Sequence, residues 1–278
     1  MSQKRIAAIH DISGLGKCSL TVALPLCSAA GIETSVIPTA VLSTHTGGFT
    51  DYTFRDLTDD ILPIAEHWSR LNFQFDAVYT GYLGSAKQID IVGKAIGLIK
   101  GDNTLIISDP AMADNGSLYK GFETDFPRKM LNLCKKADVI VPNITEAVLM
   151  LGDSFKGGPY TKEYIEDLIE RLHNKTSSAV VLTGVYFDDK KLGAACFDGK
   201  QVNYVMQDKL PSFYHGTGDV FASVLTSALV GGRNLLPATE IAVKFTWDCI
   251  KYTMENENYS YGVNFESQIP NLIKYLGL

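Results

Sequence analysis

Arg5-Ile6-Ala7-Ala8-Ile9-His10-Asp11-Ile12-Ser13-Gly14-Leu15-Gly16 opens the chain, and a segment with helical spacing over 19–30, stopped by Gly31, follows it. An apolar run that enters a glycine-bearing turn and then a helix reads as strand, turn, helix. Residues 5–9 are apolar without alternation. A strand of that kind is buried on both faces, which is the pattern of a parallel sheet.

Outward from this unit the same alternation recurs. Strands are predicted at 35–41, 76–79, 104–108, 139–141 and 179–182, and helices at 58–73, 88–99, 125–134 and 163–173. In the first of these helices Leu62, Ala65 and Trp68 are the expected inward positions. Residues 192–197 and 202–205 predict a hairpin across Asp198-Gly199, and helices over 220–229 and 238–252 close the chain. The expected architecture is α/β, a central, mostly parallel sheet with helices on both faces. No repeat or linker-rich stretch divides it, so one domain over 1–278 is expected. Ligands of such sheets bind at the carboxyl ends of the strands, where the glycine-bearing and acidic loops of this chain fall.

Composition narrows the function. A chain of 278 residues, 46% hydrophobic, can bury one large core. Its net charge of -6 and pI of about 5.4 leave no basic field for nucleic acid or an anionic membrane surface. An anionic ligand would need backbone N–H groups, a metal or a few lysines. The five cysteines (Cys18, Cys27, Cys134, Cys196, Cys249) show no Cys-x-x-Cys spacing, which fits neither a disulfide framework nor a zinc site. Met1-Ser2-Gln3-Lys4-Arg5 leads straight into the first strand without an apolar leader, and no apolar run reaches about 18 residues. A cytoplasmic protein with no membrane partner is expected.

The motifs are specific only in company. Gly14-Leu15-Gly16 begins a dinucleotide fingerprint whose third glycine would fall at Ser19, and a phosphate-loop reading of Gly16-Lys17 finds Asp11 in place of the first glycine and Cys18 in place of the hydroxyl residue. His215-Gly216-Thr217-Gly218-Asp219-Val220-Phe221-Ala222-Ser223 places glycines before a helix, where free N–H groups attract anionic oxygens and Asp219 is placed for proton chemistry or for a plain N-cap. Asp109-Pro110-Ala111-Met112-Ala113-Asp114-Asn115-Gly116 and Pro142-Asn143-Ile144-Thr145-Glu146 follow two successive strands. Asp109, Asp114, Asn143 and Glu146 suit water-mediated binding of magnesium; taken singly, they also suit a turn and a helix start.

In this order and spacing the motifs resemble the pyridoxal/pyridoxamine kinase branch of the ribokinase-like superfamily, over nearly the whole chain. The resemblance implies a ribokinase-like fold, an anion hole at Gly216, Thr217 and Gly218, and Asp219 as the catalytic base. It implies ATP as co-substrate near Asp109, Asp114, Asn143, Glu146, Thr183 and Gly184; by position the segment 205–215 with Lys209 would lie on the adenine or phosphate side, while Lys209 taken singly reads as a solvated surface lysine. It implies Mg2+ held through water by Asp109, Asn143 and Glu146, leaves potassium open as a further cation, and suggests a homodimer. Ser43-Thr44-His45-Thr46-Gly47 is similar to the loop that holds the pyridine ring, Tyr82 of Thr80-Gly81-Tyr82 to a pocket wall, and Asp11 with Ser13 to the contact with the ring's polar edge. Gly262-Val263-Asn264-Phe265-Glu266 is similar to the terminus of bacterial pyridoxamine kinases.

The implied activity is ATP-dependent phosphorylation of the 5'-hydroxymethyl group of pyridoxal, pyridoxamine or pyridoxine. Two positions depart from the branch: Ala113 stands where the phosphate loop usually has glycine, and Asp11 where many pyridoxal kinases have serine. The second makes the first turn similar to that of hydroxymethylpyrimidine kinases. A pyrimidine or sugar kinase of the same fold, or a non-catalytic vitamer-binding protein, are therefore the alternatives. A nicotinamide-dependent oxidoreductase would rest on the incomplete glycine fingerprint alone.

Overall fold

A computed structural model describes residues 3–256 and 261–278; Met1 and Ser2, part of the N-terminal reading, lie outside them. The opening unit folds as a strand, β1 (Arg5–Leu15), and a helix, α1 (Leu20–Ala29), with one difference from expectation. The segment read as a turn continues the strand. β1 pairs in parallel with β2 (Glu33–Thr44) on both sides of an irregularity between His10 and Ile12. A bulge re-aims the residues beside it, and Asp11 and Ser13 end up buried next to the cleft described below.

The chain continues through β3 (Phe54–Asp56), α2 (Thr58–Arg70), β4 (Ala77–Thr80), α3 (Ala86–Ile99) and β5 (Leu105–Ser108). A small hairpin follows, β6 (Ala113–Asp114) and β7 (Ser117–Leu118), turning on Asn115 and Gly116 at φ 49° and 81°. Two positive-φ residues with Asn-Gly are what a two-residue hairpin asks for, so the plain turn reading of this tripeptide holds. Next come α4 (Phe126–Cys134), β8 (Val139–Ile140), α5 (Ile144–Leu151), α6 (Lys162–Thr176), β9 (Ala179–Val185), the expected hairpin β10 (Lys191–Phe197) and β11 (Val202–Asp208), α7 (Thr217–Val230) and α8 (Leu235–Glu255). A helix absent from the prediction, α9 (Ile269–Leu276), follows the 3-10 turn Glu266–Gln268.

The main sheet runs β11-β10-β9-β8-β5-β4-β1-β2-β3. From β2 through β9 the neighbours are parallel; β3, β10 and β11 add antiparallel edges. The strands send alternate side chains into two cores. Ile9, Val78, Ile140 and Leu182 pack on one face with residues of α2 to α6, and Ile6, Tyr79, Ile107 and Val181 on the other with α1, α7, α8 and α9. Each fully buried aliphatic chain contributes about 1.5–3 kcal/mol by leaving water. In α2 the inward row is Ile61 and Ala65, with Trp68 partly buried and Leu62 only half-buried.

From β1 the chain moves to β2 on one side, then returns to β4 on the other and grows outward. That reversal opens a crevice at the carboxyl ends of β1 and β4, where open α/β sheets bind ligands. No described helix is long and apolar enough to cross a membrane.

Candidate active site

A cavity of about 570 Å³ occupies this crevice and runs along the sheet edge. It brings together Asp11, Ser13, His45, Thr46 and Tyr82 from the β1, β2 and β4 ends, Asp109, Asp114, Asn143 and Glu146 from the β5 and β8 ends, Thr183 and Gly184 from β9, and Gly216, Thr217, Gly218 and Asp219 from the start of α7. Lys209 is not among the lining residues. Its ammonium is paired with Asp189 at 3.2 Å and lies 4.4 Å from the centroid of the Tyr186 ring, the surroundings of a surface lysine rather than of a residue facing the cleft.

The first turn of α7 explains its sequence. Gly216 is the N-cap at φ 82°, and a Cβ there would collide with the Lys17 carbonyl oxygen. Only glycine meets both demands. Asp219 is therefore not the cap but a first-turn residue, and the free N–H groups of that turn face the cavity end of the helix. Its side chain keeps one face on the cleft. The surrounding protein nevertheless strips enough water to push its carboxyl up to about 7, with the Asp11 charge adding and a hydrogen bond from the Ser19 backbone opposing.

At the β5 and β8 ends the capping reading also holds. Asn143 Oδ1 accepts from Glu146 N at 2.9 Å, and Glu146 Oε2 accepts from Asn143 N at 2.9 Å. The same two side chains secure the preceding loop: Met112 N donates to Glu146 Oε1 at 3.0 Å, and Asn143 Nδ2 to Ala113 O at 2.8 Å. The Asn143 amide is thus engaged at both ends and holds this loop while still lining the cavity. Burial pushes Glu146 up to about 8 despite these donors, and burial followed by the charges of Glu146 and Asp219 holds Asp109 well above the usual carboxylate range.

The charge balance of the cleft is one-sided. Asp11, Asp109, Asp114, Glu146, Asp208 and Asp219 line it, and no described lysine or arginine does. The described residues contain no cluster of three or more His, Cys, Asp or Glu that could hold a metal directly. A donor set of this kind fits a hard cation that keeps several waters and leans on one or two carboxylates and on ligand phosphates, as magnesium does.

At the other end, His45 Nε2 lies 3.0 Å from Tyr261 O, and its ring sits 4.9 Å from Phe49 and 5.1 Å from His215. Ser13 donates to Asp11 Oδ2 at 2.9 Å. Burial raises the Asp11 carboxyl. Lining residues that the sequence reading did not single out for the site are Cys18, Ser19, Tyr119, Phe213 and Trp247. Lone residues in loops and on a helix carry no spacing signal; the exposure of Phe213, at 68%, and to a lesser degree of Tyr119 marks them once the fold is known.

The profile of the family described as phosphomethylpyrimidine kinase matches residues 27–264. The chain belongs to this kinase family. Two solved structures resemble this phosphomethylpyrimidine kinase family member across nearly its whole length. A Bacteroides thetaiotaomicron protein described as a phosphomethylpyrimidine kinase, crystallised with pyridoxal, is 38% identical, covers 98% of this chain and 96% of its own, and superposes with a TM-score of 0.90. Pyridoxal kinase from Lactobacillus plantarum is 29% identical, covers 98% of both chains, and has a TM-score of 0.90, which identifies the fold as ribokinase-like. The hydroxymethylpyrimidine/phosphomethylpyrimidine kinase of Bacillus subtilis is 26% identical over 64% of this chain and 65% of its own length. Family members of both substrate types are thus similar to the chain.

Proposed function

We propose that the protein transfers the γ-phosphoryl group of ATP to the 5'-hydroxymethyl group of a vitamin B6 vitamer: pyridoxal, pyridoxamine or pyridoxine. The observation that carries this reading is the placement of Asp219, poised near neutrality, beside the free N–H groups of the α7 start, in one cleft with the ring-loop residues His45 and Thr46. The similarity to a protein crystallised with pyridoxal supports the B6 acceptor. Kinship with pyrimidine kinases supports a second acceptor, hydroxymethylpyrimidine.

In this mechanism the acceptor ring lies between Tyr82 and the His45–Thr46 loop, with its polar edge toward Asp11 and Ser13. Its hydroxymethyl group points at Asp219, which takes the hydroxyl proton as the oxygen attacks the γ-phosphorus and the bond from that phosphorus to the bridging oxygen breaks, releasing ADP. A base of this kind gives about 10²–10⁴-fold in rate. The N–H groups of Gly216, Thr217 and Gly218 receive the charge that develops on the transferring oxygens. Asp109, Asn143 and Glu146 would hold magnesium through water, and bound magnesium would neutralise the phosphate charge that this acidic cleft otherwise repels. Thr183 and Gly184 border the nucleotide. Asn143 maintains the loop that carries Asp109 and Asp114.

The test is turnover by purified protein with magnesium and ATP, offered pyridoxal, pyridoxamine, pyridoxine and hydroxymethylpyrimidine separately. A higher kcat/KM for a B6 vitamer supports the reading. Product from the pyrimidine alone would keep the kinase and overturn the acceptor.

A further inference from the structure

The anion-hole turn does not stand alone. Gly216 lies against the Lys17 carbonyl so closely that no side chain fits between them, and the Lys17 backbone therefore sets where the first N–H groups of α7 sit. Lys17 is in turn held from outside the cleft. Its ammonium pairs with Glu266 and lies 5.3 Å from the centroid of the Phe265 ring, and Gly262 leaves room only for the Lys17 stem.

The segment that makes these contacts, residues 261–266, also reaches the neighbouring loops. Val263 N donates to His215 O at 3.3 Å, and Tyr261 O meets His45 Nε2 at 3.0 Å. It is firmly seated: Val263 and Phe265 are buried in the core under α7 and α8, and Asn264 N donates to Thr253 Oγ1 at 2.8 Å. One strap thus touches the β1 turn, the ring loop and the anion-hole turn.

We infer that Lys17 is a positioning residue for phosphoryl transfer, clamped by Glu266 and Phe265 so that its carbonyl fixes Gly216 and aims the N–H groups of the α7 start. This rests on the anion-hole reading of Gly216 to Gly218. Lys17 does not line the cleft, so loosening it should affect the transition state rather than ground-state binding. Displacements of about 1 Å in such groups cost up to about 10²-fold in rate.

The experiment compares Lys17→Met, Glu266→Gln, Lys17→Arg and the Lys17→Met/Glu266→Gln double variant with the wild type, using whichever acceptor the wild type phosphorylates. Expected is a kcat lower by roughly ten- to a hundredfold in each of the first two, with both KM values within about twofold and the Tm within a few degrees. Lys17→Arg should restore most of kcat, and the double variant should be no worse than Lys17→Met, because both changes break one pair. Unchanged kcat, or a loss explained by lower Tm and not rescued by Lys17→Arg, would overturn the inference. Amide hydrogen exchange at residues 217–219 supplies a readout free of any acceptor assignment: faster exchange in Lys17→Met at unchanged Tm is expected, and unchanged exchange overturns the inference even if the B6 reading fails.

Discussion

Asn143 and Glu146 cap each other across the start of α5, at 2.9 Å in both directions, and the free oxygen of Glu146 reaches back to Met112 N in the loop that carries Asp109. One carboxylate therefore ties a helix start to an acidic loop. Removing it leaves buried N–H groups without acceptors, at about 1–3 kcal/mol for each such group. Glu146→Ala is expected to lower the Tm by about 3–4 °C for a loss of about 2 kcal/mol, and to raise the KM for ATP more than that for the acceptor. Differential scanning calorimetry and steady-state kinetics check both.

The buried acids make stability depend on pH. Glu146 and Asp219 have folded pKa values of about 8 and about 7, above their ordinary values of 4.5 and 3.8, so the folded state binds more protons than the unfolded one between those limits and loses stability as pH rises. His10 acts oppositely: burial lowers it from 6.5 to about 3, so its contribution grows with pH only up to about 6.5. Between pH 6.5 and 8 the acids act without that opposition. The Tm of the ligand-free protein should fall across this window, and the fall should be smaller in Asp219→Asn. A Tm that rises from pH 6.5 to 8 would contradict these assignments.

Lys209 supplies a negative control. Its ammonium is committed to Asp189 and Tyr186 outside the cleft. Lys209→Ala should leave kcat/KM for ATP within about twofold, since an exposed ion pair of this kind is worth at most about 1 kcal/mol. A tenfold rise in the ATP KM would return Lys209 to the phosphates.

Tyr82 lines the end of the cleft proposed for the acceptor, and its ring lies 5.6 Å from that of Phe122. An aromatic pair of this kind, tilted at 34°, contributes about 0.5–1.5 kcal/mol beyond burial. Tyr82→Ala should raise the KM for the ring substrate by about tenfold and leave that for ATP nearly unchanged, as measured by varying each substrate in turn.

Much of this architecture is written in local pattern. The strands at the centre of the sheet announce themselves because residues such as Val78, Tyr79, Ile106 and Ile107 alternate between two buried cores, leaving no polar face to confuse with a loop. Gly14 and Gly16 mislead for a physical reason. They signal a turn locally, whereas Ser13 and Leu15 pair with Leu42 and Thr44, a long-range register that no local window contains. Helix α5 was legible only as a capping box, since six of its eight residues are buried and the amphipathic stripe that would extend the reading is missing. The cavity is lined by every motif position singled out in the sequence except Lys209, where placement by chain order could not foresee the pairing with Asp189. The strap over residues 261–266 matters through contacts with Lys17, His45 and His215, which are distant in sequence.

Asp219 is the group proposed to accept the hydroxyl proton. Single-turnover phosphorylation by Asp219→Asn, measured beside the equilibrium affinity for ATP, tests it most directly. The account predicts a fall in rate of about 10²–10⁴-fold with ATP affinity within a few fold of the wild type. Near-normal turnover in that variant would contradict it and remove Asp219 from the role of base.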